Sequence, residues 1–145
     1  MTAYEVKCFM KQHWRLKKEI NAKYSSLIEL RSMAEKTTST LTGMPSSHSE
    51  GSKVENYAIR LVEMQMDMEE CVNQLIEIRQ KTVKMIDLAS DPLSRAILTE
   101  YHINGKTLEV TAETIGYSTR QIINIMNKSY EEIAEKISLN FIESL

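Results

Sequence analysis

Between residues 3 and 36 the apolar side chains recur in two rows, each with a seven-residue repeat. Val6, His13, Ile20, Leu27 and Ala34 form one row; Phe9, Leu16 and Leu30 lie three residues after their partners, and Lys23 interrupts the second row. This is an a/d stripe, and it predicts one long helix of roughly 50 Å at 1.5 Å per residue. A second pair of rows fills residues 53 to 88, with Val54, Leu61, Met68, Leu75 and Thr82 in one and Tyr57, Met64, Cys71, Ile78 and Met85 in the other. Between the two lies TTSTLTGMPSSHSEGS, residues 37 to 52, where Ser and Thr compete for backbone hydrogen bonds and Gly43, Pro45 and Gly51 break a helix. A mobile loop is expected there. The two striped helices are expected to bury their stripes against each other. An antiparallel hairpin within one chain and a pairing between two chains satisfy the pattern equally.

After Ala89 the pattern shortens. Asp91 before Pro92 reads as an N-cap followed by proline at the first helical position, opening LSRAILTEYHI, which ends near Asn104-Gly105. Thr107 then caps LEVTAETI, which stops at Gly116, and Ser118 with Gln121 forms a capping box before TRQIINIMNKSYEEIAEKI. The expected architecture is all-α: a coiled-coil-like helical hairpin arm over residues 1–88 with its loop at 37–52, then a helix-turn-helix module over 89–145. A fragment beginning near residue 89 is expected to fold alone.

Composition supports the helical reading, because 4 Gly and 2 Pro leave few places for turns. The net charge of -2 gives no global attraction to nucleic acid, so any such contact must be local. Charge is unevenly spread. Residues 1–36 carry eight Lys/Arg against four Asp/Glu, net +4, and residues 50–91 carry five against nine, net -4, which favours side-by-side pairing of the two helices.

In TLEVTAETIGYSTRQIINIMNK, residues 107–128, small, flexible and apolar residues fall where a helix-turn-helix needs them. Two helices crossing closely at a large angle need a small residue at the crossing, which suits Ala112. The turn needs positive φ, which suits Gly116. Ile122 and Ile125 would anchor the second helix, with Ile115 and Tyr117 closing the core at the turn. Thr119, Arg120, Gln121, Asn124, Asn127 and Lys128 are then expected on or near the solvent side. These side chains can reach base edges and phosphates: Arg to guanine, Gln and Asn to adenine, Lys and Thr to the backbone. No acidic residue lies between Glu113 and Glu131. Lys106, Thr107 and Ser118, at the helix starts, complete the candidate DNA-binding set.

The run from Leu93 to Ile137 resembles the C-terminal, region 4 helix-turn-helix of bacterial sigma factors. Leu93, Arg95, Leu98, Tyr101, Gly105, Ala112, Gly116 and Ser118 fill its pattern, while Val110-Thr111-Ala112 stands where a Glu-Ile-Ala is common. The whole chain is similar to small phage late-gene transcription regulators of the ArpU and RinA type. That resemblance implies a DNA-binding activator of a late packaging, structural or lysis operon in a phage or related mobile element. Implied partners are double-stranded promoter DNA, RNA polymerase and a second copy of the chain, in the cytoplasm of a bacterial host. A helical protein-protein adaptor and a DNA-packaging recognition subunit of the small-terminase kind are the alternatives.

Catalysis has little support. His13, His48 and His102 lie in three segments, no Cys/His spacing matches a metal site, and no phosphate loop or nucleophile motif occurs. No enzyme activity, metal or cofactor is expected. Of Met64, Met66 and Met68, two lie in the heptad rows and read as core filling. Cys8 and Cys71 read as reduced thiols, and no apolar run reaches the ~18 residues of a membrane span. Met10 and Trp14, beside the main stripe, are expected to hold a second copy or the transcription machinery.

Overall fold

Each short helix in the C-terminal half starts at a side chain that satisfies amides the helix itself leaves unpaired. Asp91 accepts from the Leu93 amide at 3.0 Å, with Pro92 at the first helical position. Thr107 Oγ1 accepts from the Val110 amide at 3.2 Å. Ser118 and Gln121 cap reciprocally: the Gln121 amide donates to Ser118 Oγ at 3.2 Å and the Ser118 amide donates to Gln121 Oε1 at 2.9 Å. The computed structural model describes residues 1–41 and 48–143, with side chains for 1–37 and 53–140. In order the elements are α1 (Ala3–Leu41), α2 (His48–Asp87), α3 (Pro92–Leu98), a π-helical turn (Thr99–Ile103), α4 (Leu108–Ile115) and α5 (Thr119–Glu143). The protein is all-helical, with no strand among the described residues.

The two long helices pack together. Lys23 on α1 donates to Asp67 on α2 at 2.8 Å and to Cys71 Sγ at 3.2 Å. Lys23 lies 18 residues before Leu41 (41 − 23) and Asp67 lies 19 after His48 (67 − 48), so both are about 28 Å from the connection at 1.5 Å per residue. Contact at equal distances from the connection makes the two helices antiparallel. The heptad rows mark the contact: Val6, His13, Leu27, Cys71 and Thr82 are buried, whereas Ile59, Val62 and Met66, off the rows, are exposed. Lys23, the flaw in the stripe, is where the opposite charges of the two helices meet, and Asp67 raises its pKa above the usual lysine range. Residues 37–41 and 48–52, expected in the loop, are helical. The mobility expected of this loop lies, for residues 42–47, outside the described residues.

Two compact units divide the chain: Lys17–Gln74, which holds the Lys23–Asp67 pair, and Met1–Leu16 with Leu75–Leu145. In the second unit Val6, Met10, Ile86 and Ala89 belong to one apolar core with Ile97, Leu98, Ile103, Ala112, Ile122, Met126, Tyr130 and Ile133. Met10 is therefore not the surface residue expected from its place beside the stripe. It is fully buried, because the helices after residue 92 cover that flank of α1.

The expected single helix from 93 to 103 widens after Leu98 into the π turn, closed by the Asn104 amide donating to Thr99 carbonyl at 3.0 Å. The turn carries His102 into the core, where its Nε2 shares a 2.7 Å hydrogen bond with the Tyr130 hydroxyl. His13 Nδ1 on α1 donates to the His102 carbonyl at 3.1 Å. Three distant segments thus meet in one buried polar link. Burial, together with the positive ends of Lys11, His13 and Lys7, pushes the His102 pKa from 6.5 down to about 3. Burial likewise raises the Tyr130 phenol above its ordinary value.

Since the folded pKa of His102 lies below the unfolded one, the unfolded chain binds the extra proton between the two values. The contribution is complete above pH 6.5 and is lost as pH falls toward 3. Stability measured by urea denaturation should drop by about 2 kcal/mol between pH 7 and 5, and His102→Gln should flatten that slope. An unchanged slope would show that His102 does not carry it. A fragment of residues 89–145 lacks Val6, Met10 and Ile86 of its own core. It should fail to unfold cooperatively, because each lost large side chain costs about 2 to 5 kcal/mol; a sharp, two-state melt would contradict the shared core.

Candidate nucleic-acid interface

A three-residue turn joins α4 to α5, and its geometry follows from Gly116. This residue takes φ 88° and ψ 27°, left-handed space that costs glycine nothing. Its amide and that of Tyr117 both donate to the Ala112 carbonyl, at 2.9 and 3.1 Å, closing the end of α4. A Cβ at Gly116 would meet no atom within 4 Å, so the backbone angle alone sets the requirement. Ala112 is buried and Ile122 has no exposed surface, while Ile115 and Ile125 pack on the core from its edge. Tyr117 departs from the expectation. It is 42% exposed, because the left-handed turn swings the chain outward before Ser118. Thr111 is fully buried with no hydrogen-bond partner for its Oγ1 among the described residues.

On α5 the two faces separate cleanly. Ile122, Met126, Ser129, Tyr130, Ile133 and Ala134 are buried, whereas Arg120, Gln121, Asn124, Asn127 and Lys128 are exposed. At 100° per residue those five span an arc of about 120°. Ile123, 39% exposed, borders the same arc and was not in the expected set; its three-residue spacing from Arg120 is the signal that identifies it. Thr119 is half-buried at the edge of the core, and Glu131, exposed one turn beyond Asn127, ends the acid-free stretch. The α5 helix is anchored from behind. Glu132 accepts from the Ser90 amide at 3.0 Å, and Lys136 donates to the Leu88 carbonyl at 2.7 Å.

The remaining expected residues have structural duties. Ser118 and Gln121 cap α5, and Thr107 caps α4, so their side-chain oxygens are already engaged. Lys106 is ion-paired with Glu100, whose carboxyl is held below the usual carboxylate range by Lys106 and the Asn104 amide against its burial. That pair offsets the charge that Lys106 could offer a phosphate. Arg95, part of the resemblance pattern, donates to the carbonyls of Ala89 at 2.7 Å and Ser90 at 3.1 Å, holding the entry to α3. Arg120, Asn124, Asn127 and Lys128 therefore form the part of the expected set that is both exposed and uncommitted in the described hydrogen bonds and ion pairs.

Among the described residues no cluster of three or more His, Cys, Asp or Glu could hold a metal ion. No described helix is long and apolar enough to cross a membrane. No protein-family model, curated protein or solved structure matches the chain.

Three substitutions test the turn. Gly116→Val should destabilise by about 1 kcal/mol or more, while Gly116→Asn, which tolerates left-handed φ, should cost less. Ala112→Leu should overpack the crossing by about 1 to 3 kcal/mol. Thr111→Val, which removes an unpaired buried hydroxyl and keeps the shape, should stabilise by roughly 1 kcal/mol. Thermal melts read all of these, and equal melting of the Val and Asn variants at 116 would contradict the φ argument.

Proposed function

We propose that the chain is a sequence-specific DNA-binding regulator of transcription that reads the major groove with the exposed face of α5. In this reading α4, the Gly116 turn and α5 form a helix-turn-helix. The observation that carries it is the arrangement on α5: Arg120, Asn124, Asn127 and Lys128 side by side on an exposed arc that carries no carboxylate before Glu131, on a helix whose opposite face is locked into the core. An α-helix fits the major groove, Arg pairs with guanine and Asn with adenine, and Lys128 at the edge suits a phosphate. Ile123 offers an apolar contact to a thymine methyl.

The resemblance of residues 93–137 to the sigma-factor module extends the proposal to activation of a late operon in a phage or related element. Phosphate neutralisation supplies much of the affinity of DNA-binding proteins, and two cations on one face supply little of it. A second copy of the chain or RNA polymerase at the promoter would provide the rest through linked contacts.

The test is selection of binding sites from a random duplex library by the full chain, followed by affinity measurements on the enriched sequence. Arg120→Ala should weaken that site by about 1 to 3 kcal/mol and relax preference at one position. Lys128→Ala should weaken all sequences alike and lower the salt slope by about one. Failure to enrich any sequence, or wild-type binding by both variants, rules out this face as the reader and favours the adaptor reading.

A further inference from the structure

We infer that a cavity of about 340 Å³ beside the start of α4 is a binding site for a small planar organic anion. It lies wholly in the unit formed by Met1–Leu16 and Leu75–Leu145. Its walls include Trp14, Tyr101 and Leu108, with Lys11, Arg15 and Lys106 among them. The volume falls in the ~300–1,000 Å³ range of small-ligand sites, which are mostly apolar with a few convergent polar groups.

The charge at the cavity selects the ligand class. Three cations face one lining carboxylate, Glu109, and with the Glu100 partner of Lys106 included the site carries a formal +1 (3 − 1 − 1). Glu100 already holds Lys106. Lys11 and Arg15 form no ion pair among the described residues, so a bound carboxylate would be their first strong partner. Two aromatic rings and a leucine favour a flat apolar body attached to that charge.

Gly105 takes φ +69°, and the Trp14 indole stands 3.5 Å from where a Cβ on that residue would lie, so the turn that ends at Gly105 and the indole border the cavity side by side. Nothing in the proposed DNA reading uses Lys11, Trp14 or Arg15, and the cavity stands whether or not α5 binds DNA.

Trp14 is the single tryptophan, so its emission in the full-length chain reports on this wall alone. The probes are salicylate, neutral benzamide and cationic benzylammonium, similar in size and different in charge. Salicylate should change Trp14 emission saturably, benzamide should bind more weakly, and benzylammonium should give no saturable change. Lys11→Ala with Arg15→Ala should weaken salicylate at least roughly tenfold, the loss expected for a charge-assisted hydrogen bond. Circular dichroism checks that the double variant is folded; should it lose helix, Lys11→Gln and Arg15→Gln singly carry the same comparison. An equal response to all three probes, no saturable response to salicylate, or unchanged salicylate affinity in the folded variants overturns the proposal. A Trp14 response to duplex DNA alone also overturns it, assigning Lys11 and Arg15 to the nucleic-acid backbone instead.

Discussion

The hydrogen-bonded link from His13 through the His102 carbonyl and ring to Tyr130 joins α1, the π turn and α5 inside one core. Buried polar groups cost free energy unless each finds a partner, and these partners come from segments 28 and 89 residues apart in sequence. The link therefore forms only when all three elements are in register. The same register seals Val6 and Met10 under the later helices and sets the rear face of α5. The exposed face of α5 is a consequence of that anchoring: with Ile122, Met126, Tyr130 and Ile133 committed inward, Arg120, Asn124, Asn127 and Lys128 have only solvent to face.

The C-terminal half thus combines a rigid rear with an open front. Glu132, Lys136 and Arg95 each satisfy backbone groups of the 88–90 segment, so the connection between α2 and α3 is held by side chains from two helices. Under the proposed function such backing would limit positional error at the exposed α5 side chains, where error costs specificity. The exception is Thr111, buried with an unpaired hydroxyl in the middle of α4. A hydroxyl there has no evident structural benefit, and nothing in the arrangement explains it.

Charge operates differently in the two units. In the Lys17–Gln74 unit the opposite signs of α1 and α2 meet at Lys23, which bridges Glu19 and Asp67 in the middle of an apolar stripe. Such a pair, half open to solvent, adds little stability, but it disfavours slippage, since a shift of one heptad replaces Asp67 by Arg60 or Gln74 opposite the ammonium. In the other unit Lys7 and Lys11 lie near enough to His102 to help keep it neutral, so positive charge on α1 protects the polar link from protonation.

Much of this was legible along the chain. The heptad rows identified the buried faces of both long helices, and the caps at Asp91, Thr107 and Ser118 and the left-handed glycine at 116 located the short ones, because these depend on spacing and on residues within four positions. The outward face of α5 followed from the same periodicity. Local signals could not reveal that Met10 is core, that Tyr117 is exposed, that Lys106 is paired to Glu100, or that His13 meets His102. Helix type and face are properties of a single turn repeated. Which faces share a core is set by packing between segments tens of residues apart, where no sequence period reaches.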